Sequence, residues 1–165
     1  MVIERLRSWY DAHWTPTRAI LPSTIIYYRD GVSEGQYSKV KDEEVSAIRR
    51  AYAFVTNEKN AAKQDTNITA IIAAKRHHTR FFPTTRSDEQ GASGNCTPGT
   101  LVEDTVTSPY FTEFFLQSHG GLQGTARPTH YFLIEHEVKM STPELQVFVR
   151  LSILSLYVSL TSVDS

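Results

Sequence analysis

In the stretch "IIYYRDGVSEGQY", Ile25 to Tyr37, an apolar run ends abruptly in charged residues and glycine, and this boundary indicates how the chain around it folds. Its first residues are β-formers and predict a strand at Thr24–Tyr28. Arg29, Asp30 and Gly31 then end the run. Open α/β sheets place functional groups where strands exit, which makes Asp30 a candidate site residue. An Asp that merely opens a turn would give the same pattern, and this alternative stays open.

Helical patterns lie on both sides of this strand. Upstream, apolar residues recur at helical spacing and predict an amphipathic helix: Ile3, Leu6, Tyr10 and Trp14. Downstream, a second helix is predicted from about Lys39 to Thr56. Acidic residues crowd its first turns and Arg49 and Arg50 follow later, as the helix macrodipole favours.

The remaining chain alternates between the two element types. "ITAIIAA", Ile68 to Ala74, and "THYFLIEHE", Thr129 to Glu137, read as strands, and "STPELQ" announces a helix with a Ser or Thr cap. Between them, Gly, Ser, Thr, Asn and Pro dominate Thr84 to Pro109 and predict a long surface excursion. The order is helix, strand, helix, strand, loop, helix or turn, strand, helix. This order predicts an α/β fold with a mixed β-sheet flanked by helices.

Composition narrows the class of protein. With 165 residues, 40% of them hydrophobic, the chain can bury the core of one domain. A net charge of −1 argues against a globally basic nucleic-acid binder, so any such function needs a local patch. The single cysteine, Cys96, is expected to be an ordinary loop residue and fits a cytosolic or nuclear protein. We find no signal-peptide pattern, no membrane-spanning run and no pattern for a small-molecule substrate.

The segment "KRHHTR", Lys75 to Arg80, is the sharpest concentration of positive charge. It follows the second predicted strand and precedes Phe81 and Phe82, which add apolar or stacking surface. Cations beside aromatic rings suit phosphates and bases. A solvated basic loop is the alternative. A zinc site is disfavoured, because Cys96 is alone and no second ligand pair lies at the required spacing.

The segment "SHGGLQGTARPTHY", Ser118 to Tyr131, combines three glycines with short polar side chains and Arg127. Glycine permits the close approach of backbone amides to a phosphate. The Gly-Lys-Ser/Thr ending of a Walker loop is missing. A simple glycine-rich turn is the alternative.

Together, three stretches resemble the Piwi domain of eukaryotic Argonaute proteins in the same order: "YYRDGVSEGQY", "KRHHTRFFP" and "SPYFTEFFLQSHGGLQGTARPTHYFLIEHE". The resemblance also takes in the opening helix and "GNCTPGTLVEDTVTSP", and covers roughly Met1 to Gln146. It implies an RNase H-like fold that binds a small guide RNA and a complementary target RNA in gene silencing. We therefore expect a partial Piwi domain at 1–146 and a divergent tail at 147–165. The tail could form a weak helix with a hydroxyl stripe or a strand, and is expected to pack badly.

The resemblance gives Asp30 a specific role. It matches one of three acids that, with a histidine, hold two magnesium ions for RNA cleavage in this family. The other three positions match no residue of these 165, so we expect Mg²⁺ not to bind tightly and the chain alone not to be catalytic. A magnesium-dependent ribonuclease that takes carboxylates from another chain is one alternative. A truncated, non-functional gene product is another.

The same matching assigns contacts to the RNA backbone. Long cations reach phosphates, while Gln and Thr bond sugar and phosphate oxygens. The residues so implied are Lys75, Arg76, His78, Arg80, His119, Gln123, Thr125 and Arg127.

Overall fold

The computed structural model describes residues 1–15, 20–62, 65–121 and 124–161, and its side chains through Ser152. The helices and strands, in chain order, are α1 (Val2–His13), β1 (Thr24–Asp30), α2 (Tyr37–Lys39), α3 (Ser46–Glu58), β2 (Asn67–Ala74), β3 (Leu101–Val102), β4 (Glu113–Leu116), β5 (Thr129–His136) and α4 (Thr142–Thr161). Short 3-10 turns cover Glu34–Gln36 and Arg86–Asp88. No helix within the described ranges combines the length and apolar character that crossing a bilayer requires.

The described strands form a five-stranded sheet in the order β1-β2-β5-β4-β3. β4 pairs antiparallel with both β3 and β5, and Phe115 lies opposite His130 in the second pairing. The predicted α/β fold with a mixed sheet flanked by helices is confirmed. The chain divides into two compact units, which we describe separately: unit 1 is Met1–Ile71 with Ile134–Val138, and unit 2 is Ile72–Leu133 with Lys139–Ser165.

The core of unit 1 contains the apolar faces predicted for the two helices. Leu6 and Tyr10 of α1 pack with Tyr52 and Val55 of α3, and all four are buried. The helix predicted at 39–56 is observed from Tyr37 to Glu58, with a π-helical stretch at Val40–Val45. Because a π-helix bonds five residues apart, this stretch lets Val40 and Val45 both face inward, and both are buried.

Part of the segment predicted to be a surface excursion, Thr84 to Pro109, is buried in unit 2. Asn95 and Cys96 lie within the excursion, and both are buried. A helix or a turn was expected before the last strand; residues 109–110 form a turn, but the strand β4 at Glu113–Leu116 was not predicted. Phe114, Phe115 and Leu116 are buried there, and so short an apolar run carries no periodicity that separates strand from helix.

Helix α4 begins as predicted and extends into the expected tail. The backbone N–H and the hydroxyl of Ser141 both donate to a carboxylate oxygen of Glu144 at 2.7 Å. The helical backbone continues to Thr161, so the helix alternative holds for the tail through that residue. Val149 is fully buried, and the expectation that the tail lacks a place in a core is therefore wrong at this position. Most of the predicted hydroxyl stripe lies beyond the described side chains.

Candidate nucleic-acid interface

The basic segment after β2 exposes its charges selectively. Lys75, Arg76 and His78 are exposed, whereas Arg80 is half-buried. The Arg80 guanidinium donates to the backbone carbonyls of His77, at 3.2 Å, and Thr79, at 2.7 Å. Arg80 therefore braces the segment while the other three cationic or titratable side chains face solvent.

His77 faces inward, a role that the sequence did not reveal. Its Nε2 donates to the Pro128 carbonyl at 3.0 Å, because a carbonyl oxygen can only accept. Its ring meets the edge of Phe115, with centroids 5.3 Å apart. Burial lowers the pKa of His77, and the hydrogen bond to Pro128 opposes this shift. His77 thus ties the basic segment to the start of β5.

A histidine and a carboxylate lie on the same face of β4 and β5. His130 Nε2 is 2.8 Å from a carboxylate oxygen of Glu113, and both side chains are nearly buried. The His130 ring also stacks on Phe115 at a centroid distance of 4.5 Å. His77, Phe115 and His130 therefore form a ring cluster beneath the basic segment.

A direct bond joins the two basic segments. Arg127 Nη1 donates to the Lys75 backbone carbonyl at 3.3 Å, and both side chains are exposed. The Arg127 guanidinium therefore lies beside the backbone of Lys75, a residue 52 positions away in sequence, at the surface of unit 2. The sequence predicted both residues but could not show that they meet.

Two buried side-chain amides form hydrogen bonds with the backbone of the glycine-rich segment. Asn95 Nδ2 donates to the Gly124 carbonyl at 2.9 Å, and Asn95 Oδ1 accepts the Ala126 N–H at 2.7 Å. Gln117 Nε2 donates to the His119 carbonyl at 2.6 Å. Sequence reasoning missed both Asn95 and Gln117. The feature that identifies both residues is a buried amide that bonds the backbone of the glycine-rich segment, and only the folded structure shows it.

The other predicted contacts on this segment are placed as follows. His119 and Thr125 are exposed, as RNA contacts require. Gln123 lies outside the described residues. Gly124 has a φ of +69°, a left-handed conformation that glycine adopts readily.

Asp30 lies in unit 1, at the last position of β1, two residues beyond the predicted end of the strand. Its side chain is exposed, and its backbone carbonyl accepts Arg29 Nη1 at 2.6 Å. Within the described ranges, no three His, Cys, Asp or Glu side chains gather where they could hold a metal ion. This donor set does not fit a two-magnesium site, which needs several carboxylates that converge from separate elements.

The strand end beside Asp30 is bonded to Glu44 through two side chains. Arg29 Nε lies 3.1 Å from both carboxylate oxygens of Glu44, and the Tyr27 hydroxyl also donates to Glu44. Burial, followed by the bond to Glu44, raises the pKa of Tyr27 to about 12. Burial opposes ionisation of Glu44, but the bonds from Tyr27 and Arg29 outweigh it and lower the pKa of that carboxyl.

Comparison with known proteins supplies a context for both units. The family model described as Piwi domain matches residues 1–163, a range that runs past Gln146. Protein argonaute 12 of Oryza sativa subsp. japonica is 41% identical over 146 residues, which are 88% of this chain and 13% of that protein. The chain therefore spans about one eighth of the length of this relative.

Solved structures resemble the chain at similar coverage. The C-terminal lobe of a budding yeast Argonaute is 34% identical with a TM-score of 0.76, over 88% of this chain and 29% of that one. Kluyveromyces polysporus Argonaute with a guide RNA is 33% identical with a TM-score of 0.74, over 87% and 18%. Drosophila Piwi is 28% identical with a TM-score of 0.71, over 90% and 18%.

Proposed function

Because the chain belongs to the Piwi domain family, the family of the Argonaute proteins, we propose that it binds a small guide RNA and its complementary target RNA in RNA-mediated gene silencing. The fold supports this proposal, since the solved neighbours are Argonaute and Piwi proteins and share an RNase H-like architecture. One of these neighbours was solved with a guide RNA.

The observation that carries the proposal is the bond between Arg127 and the Lys75 carbonyl. It brings the basic segment, where Lys75 and Arg76 are exposed, next to the exposed residues Thr125 and Arg127 in unit 2. Exposed cations together with hydroxyl and backbone groups suit the sugar-phosphate backbone, which every RNA sequence presents. The binding is therefore sequence-independent for these contacts, and base pairing supplies the specificity.

A salt titration tests the proposal. Phosphate contacts release counterions, so RNA affinity falls steeply with salt. Combined Lys75→Ala, Arg76→Ala and Arg127→Ala substitutions lower the affinity and flatten the slope of log K against log salt, by roughly one unit per lost contact. Fluorescence anisotropy with a short labelled RNA measures both quantities.

A matched control removes three positive charges elsewhere. Arg5, Lys39 and Arg50 are exposed side chains of unit 1. Their combined replacement by Ala leaves the salt slope at the wild-type value. Salt-insensitive binding by the wild-type chain, or equal slopes in the two triple variants, would contradict the proposal.

We further propose that the 165-residue chain alone does not cleave RNA. Members of the family use metal ions, and Asp30 is the residue of this chain that matches a catalytic acid. The support lies in the donor set, because Asp30 is a single exposed carboxylate and in-line phosphoryl transfer with two metals needs several. The lack of further carboxylates around Asp30 does not affect the RNA binding proposed for unit 2.

A cleavage assay tests this second part. The chain is incubated with a guide, a complementary labelled RNA and Mg²⁺ or Mn²⁺, beside the Asp30→Ala variant. We expect the same background in both samples. A product cut opposite a fixed guide position that disappears in Asp30→Ala would favour the alternative function, a metal-dependent endoribonuclease.

A further inference from the structure

One buried side chain, that of Asn95, bonds the loop 124–127 on both sides of Thr125. Asn95 is 2% exposed, so it cannot touch RNA itself. Its amide nitrogen must donate and its amide oxygen must accept, and the loop offers one partner of each kind: the Gly124 carbonyl and the Ala126 N–H. Thr125, the residue between these partners, and Arg127, the residue after them, are exposed.

A tight turn delivers Asn95 to this position. Gln90 N–H donates to the Asn95 carbonyl at 2.8 Å, and Thr97 N–H donates to the Asp88 carbonyl at 3.0 Å. Glu89 and Cys96 pair as an antiparallel bridge. The segment 88–97, which we call the clamp turn, is therefore a closed element, and it places the Asn95 amide against the loop 124–127.

The loop is shaped to receive this amide. A Cβ on Gly121 would lie 3.0 Å from Asn95 Nδ2 and 3.4 Å from the Ala126 Cβ. The first distance is shorter than an ordinary van der Waals contact, so a side chain at 121 would press on the clamp. The Asn95 amide is thus packed against Gly121 and bonded to Gly124 and Ala126.

We propose that Asn95 is a positioning residue for RNA binding, which presents Thr125 and Arg127 to the phosphate backbone by fixing the backbone on either side of Thr125. The inference rests on the proposed function and extends it to a residue that makes no contact with RNA. Holding a binding loop in its bound conformation raises affinity, because less conformational entropy is lost on association. Buried polar groups also leave a large penalty when one partner is removed, which makes the arrangement sensitive to single changes.

The Asn95→Asp variant distinguishes a positioning role in RNA binding from a purely structural role. The carboxylate still accepts the Ala126 N–H but has no proton for the Gly124 carbonyl. We expect RNA affinity near neutral pH to fall about tenfold. Burial raises the pKa of an introduced Asp above its usual value of about 3.9, and the protonated acid regains a donor. The wild-type to variant affinity ratio therefore returns toward one as the pH falls to about 5.

A double-variant comparison shows whether Asn95 acts through the loop. In a Thr125→Ala, Arg127→Ala background the side chains to be positioned are gone. Asn95→Asp then changes affinity by less than about twofold near neutral pH, because coupled residues are not additive. Asn57→Asp, an exposed Asn of α3, adds the same charge and serves as the matched control.

The outcomes separate this inference from the function on which it rests. Absence of salt-dependent binding by the wild-type chain overturns both. Normal wild-type binding with an unchanged Asn95→Asp variant, or a loss that acid does not restore, overturns the inference alone. If Asn95→Asp does not fold by circular dichroism, Gly121→Ala replaces it, with Gly35→Ala as control because a Cβ at 35 meets nothing within 4 Å. Unaltered RNA affinity in folded Gly121→Ala would then overturn the inference.

Discussion

Two adjacent histidines, His77 and His78, have opposite surroundings. His78 is exposed, whereas His77 is half-buried and bonds the Pro128 carbonyl through Nε2. With Nε2 as the donor, neutral His77 leaves Nδ1 as a buried acceptor that has no partner among the described residues. Protonation would place a second, unsatisfied N–H there, which is the physical reason that charge is disfavoured at His77.

This environment predicts a pH-dependent stability. The folded-state pKa of His77 lies below the ordinary value of 6.5, so near that pH the unfolded chain binds a proton more readily than the folded one. The contribution of neutral His77 is fully present above 6.5 and is lost as the pH falls from 6.5 to the lowered pKa. We expect His77→Gln, which keeps an amide donor for Pro128, to flatten the dependence of the unfolding free energy on pH. Urea denaturation across this range measures it.

The neighbouring histidine is the control for this prediction. His78→Gln makes the same substitution at an exposed side chain and serves as the matched comparison. The charged and titratable groups around His77 remain in both variants: Arg80, Glu113, Arg127 and His130. Equal slopes in His77→Gln and wild type would show that His77 does not titrate in this window.

The sequence alone does not distinguish a buried residue such as His77 from an exposed neighbour such as His78. The resemblance selected His78 and passed over His77, yet the motif "KRHHTR" contains nothing that says which ring turns inward. Asn95 is a harder case, because its partners lie 29 and 31 positions away and are backbone atoms. Backbone groups have the same chemistry at every non-proline position, so no residue type marks them in advance.

At the scale of elements, α4 shows where periodicity succeeds and where it does not. Its start was predictable, since a Ser cap with Glu three residues on is a local signal. Its continuation was ambiguous, because hydroxyl and apolar residues in 147–161 suit a helix and a strand almost equally. Packing decided the matter, with Leu145 and Val149 on one face and both fully buried.

A pair of valines on α4 tests whether the tail belongs to a folded core. Val149 is fully buried and Val147 is 58% exposed. We expect Val149→Ala to lower the unfolding free energy by about 1–3 kcal/mol, from lost burial and the cavity left behind. Val147→Ala changes it by less than about 0.5 kcal/mol. Equal effects in urea denaturation would support the tail at 147–165 as a divergent segment outside the domain.

At the scale of the whole molecule, charge is nearly balanced while its distribution is not. The net charge is −1, and acidic partners hold several cations of unit 1, such as Arg7 with Glu58 and Arg49 with Glu137. In unit 2, Arg127 instead bonds a backbone carbonyl, which leaves its charge uncompensated by that contact. The proposed attraction to RNA is therefore a local property of unit 2 and does not follow from composition.

Ligand binding should consequently stabilise the folded chain. An RNA that binds only the folded state adds RT ln(1 + [L]/Kd), about 2.7 kcal/mol at one hundred times Kd. For a chain of this length we expect Tm to rise by roughly 5–10 °C at low salt. Differential scanning fluorimetry should show a much smaller rise in the Lys75, Arg76 and Arg127 triple variant. A full rise in that variant would place the RNA elsewhere on the protein.

The clamp turn also carries the single cysteine of the chain, Cys96, next to Asn95. Cys96 is 8% exposed, and burial of its thiol, with Asp88 nearby, raises the pKa of that thiol. Thiolate is the reactive form, so a maleimide or disulfide reagent should label the closed turn slowly and the opened turn quickly. Labelling kinetics at one natural position would thus count openings of the turn without any introduced probe, and bound RNA should slow them.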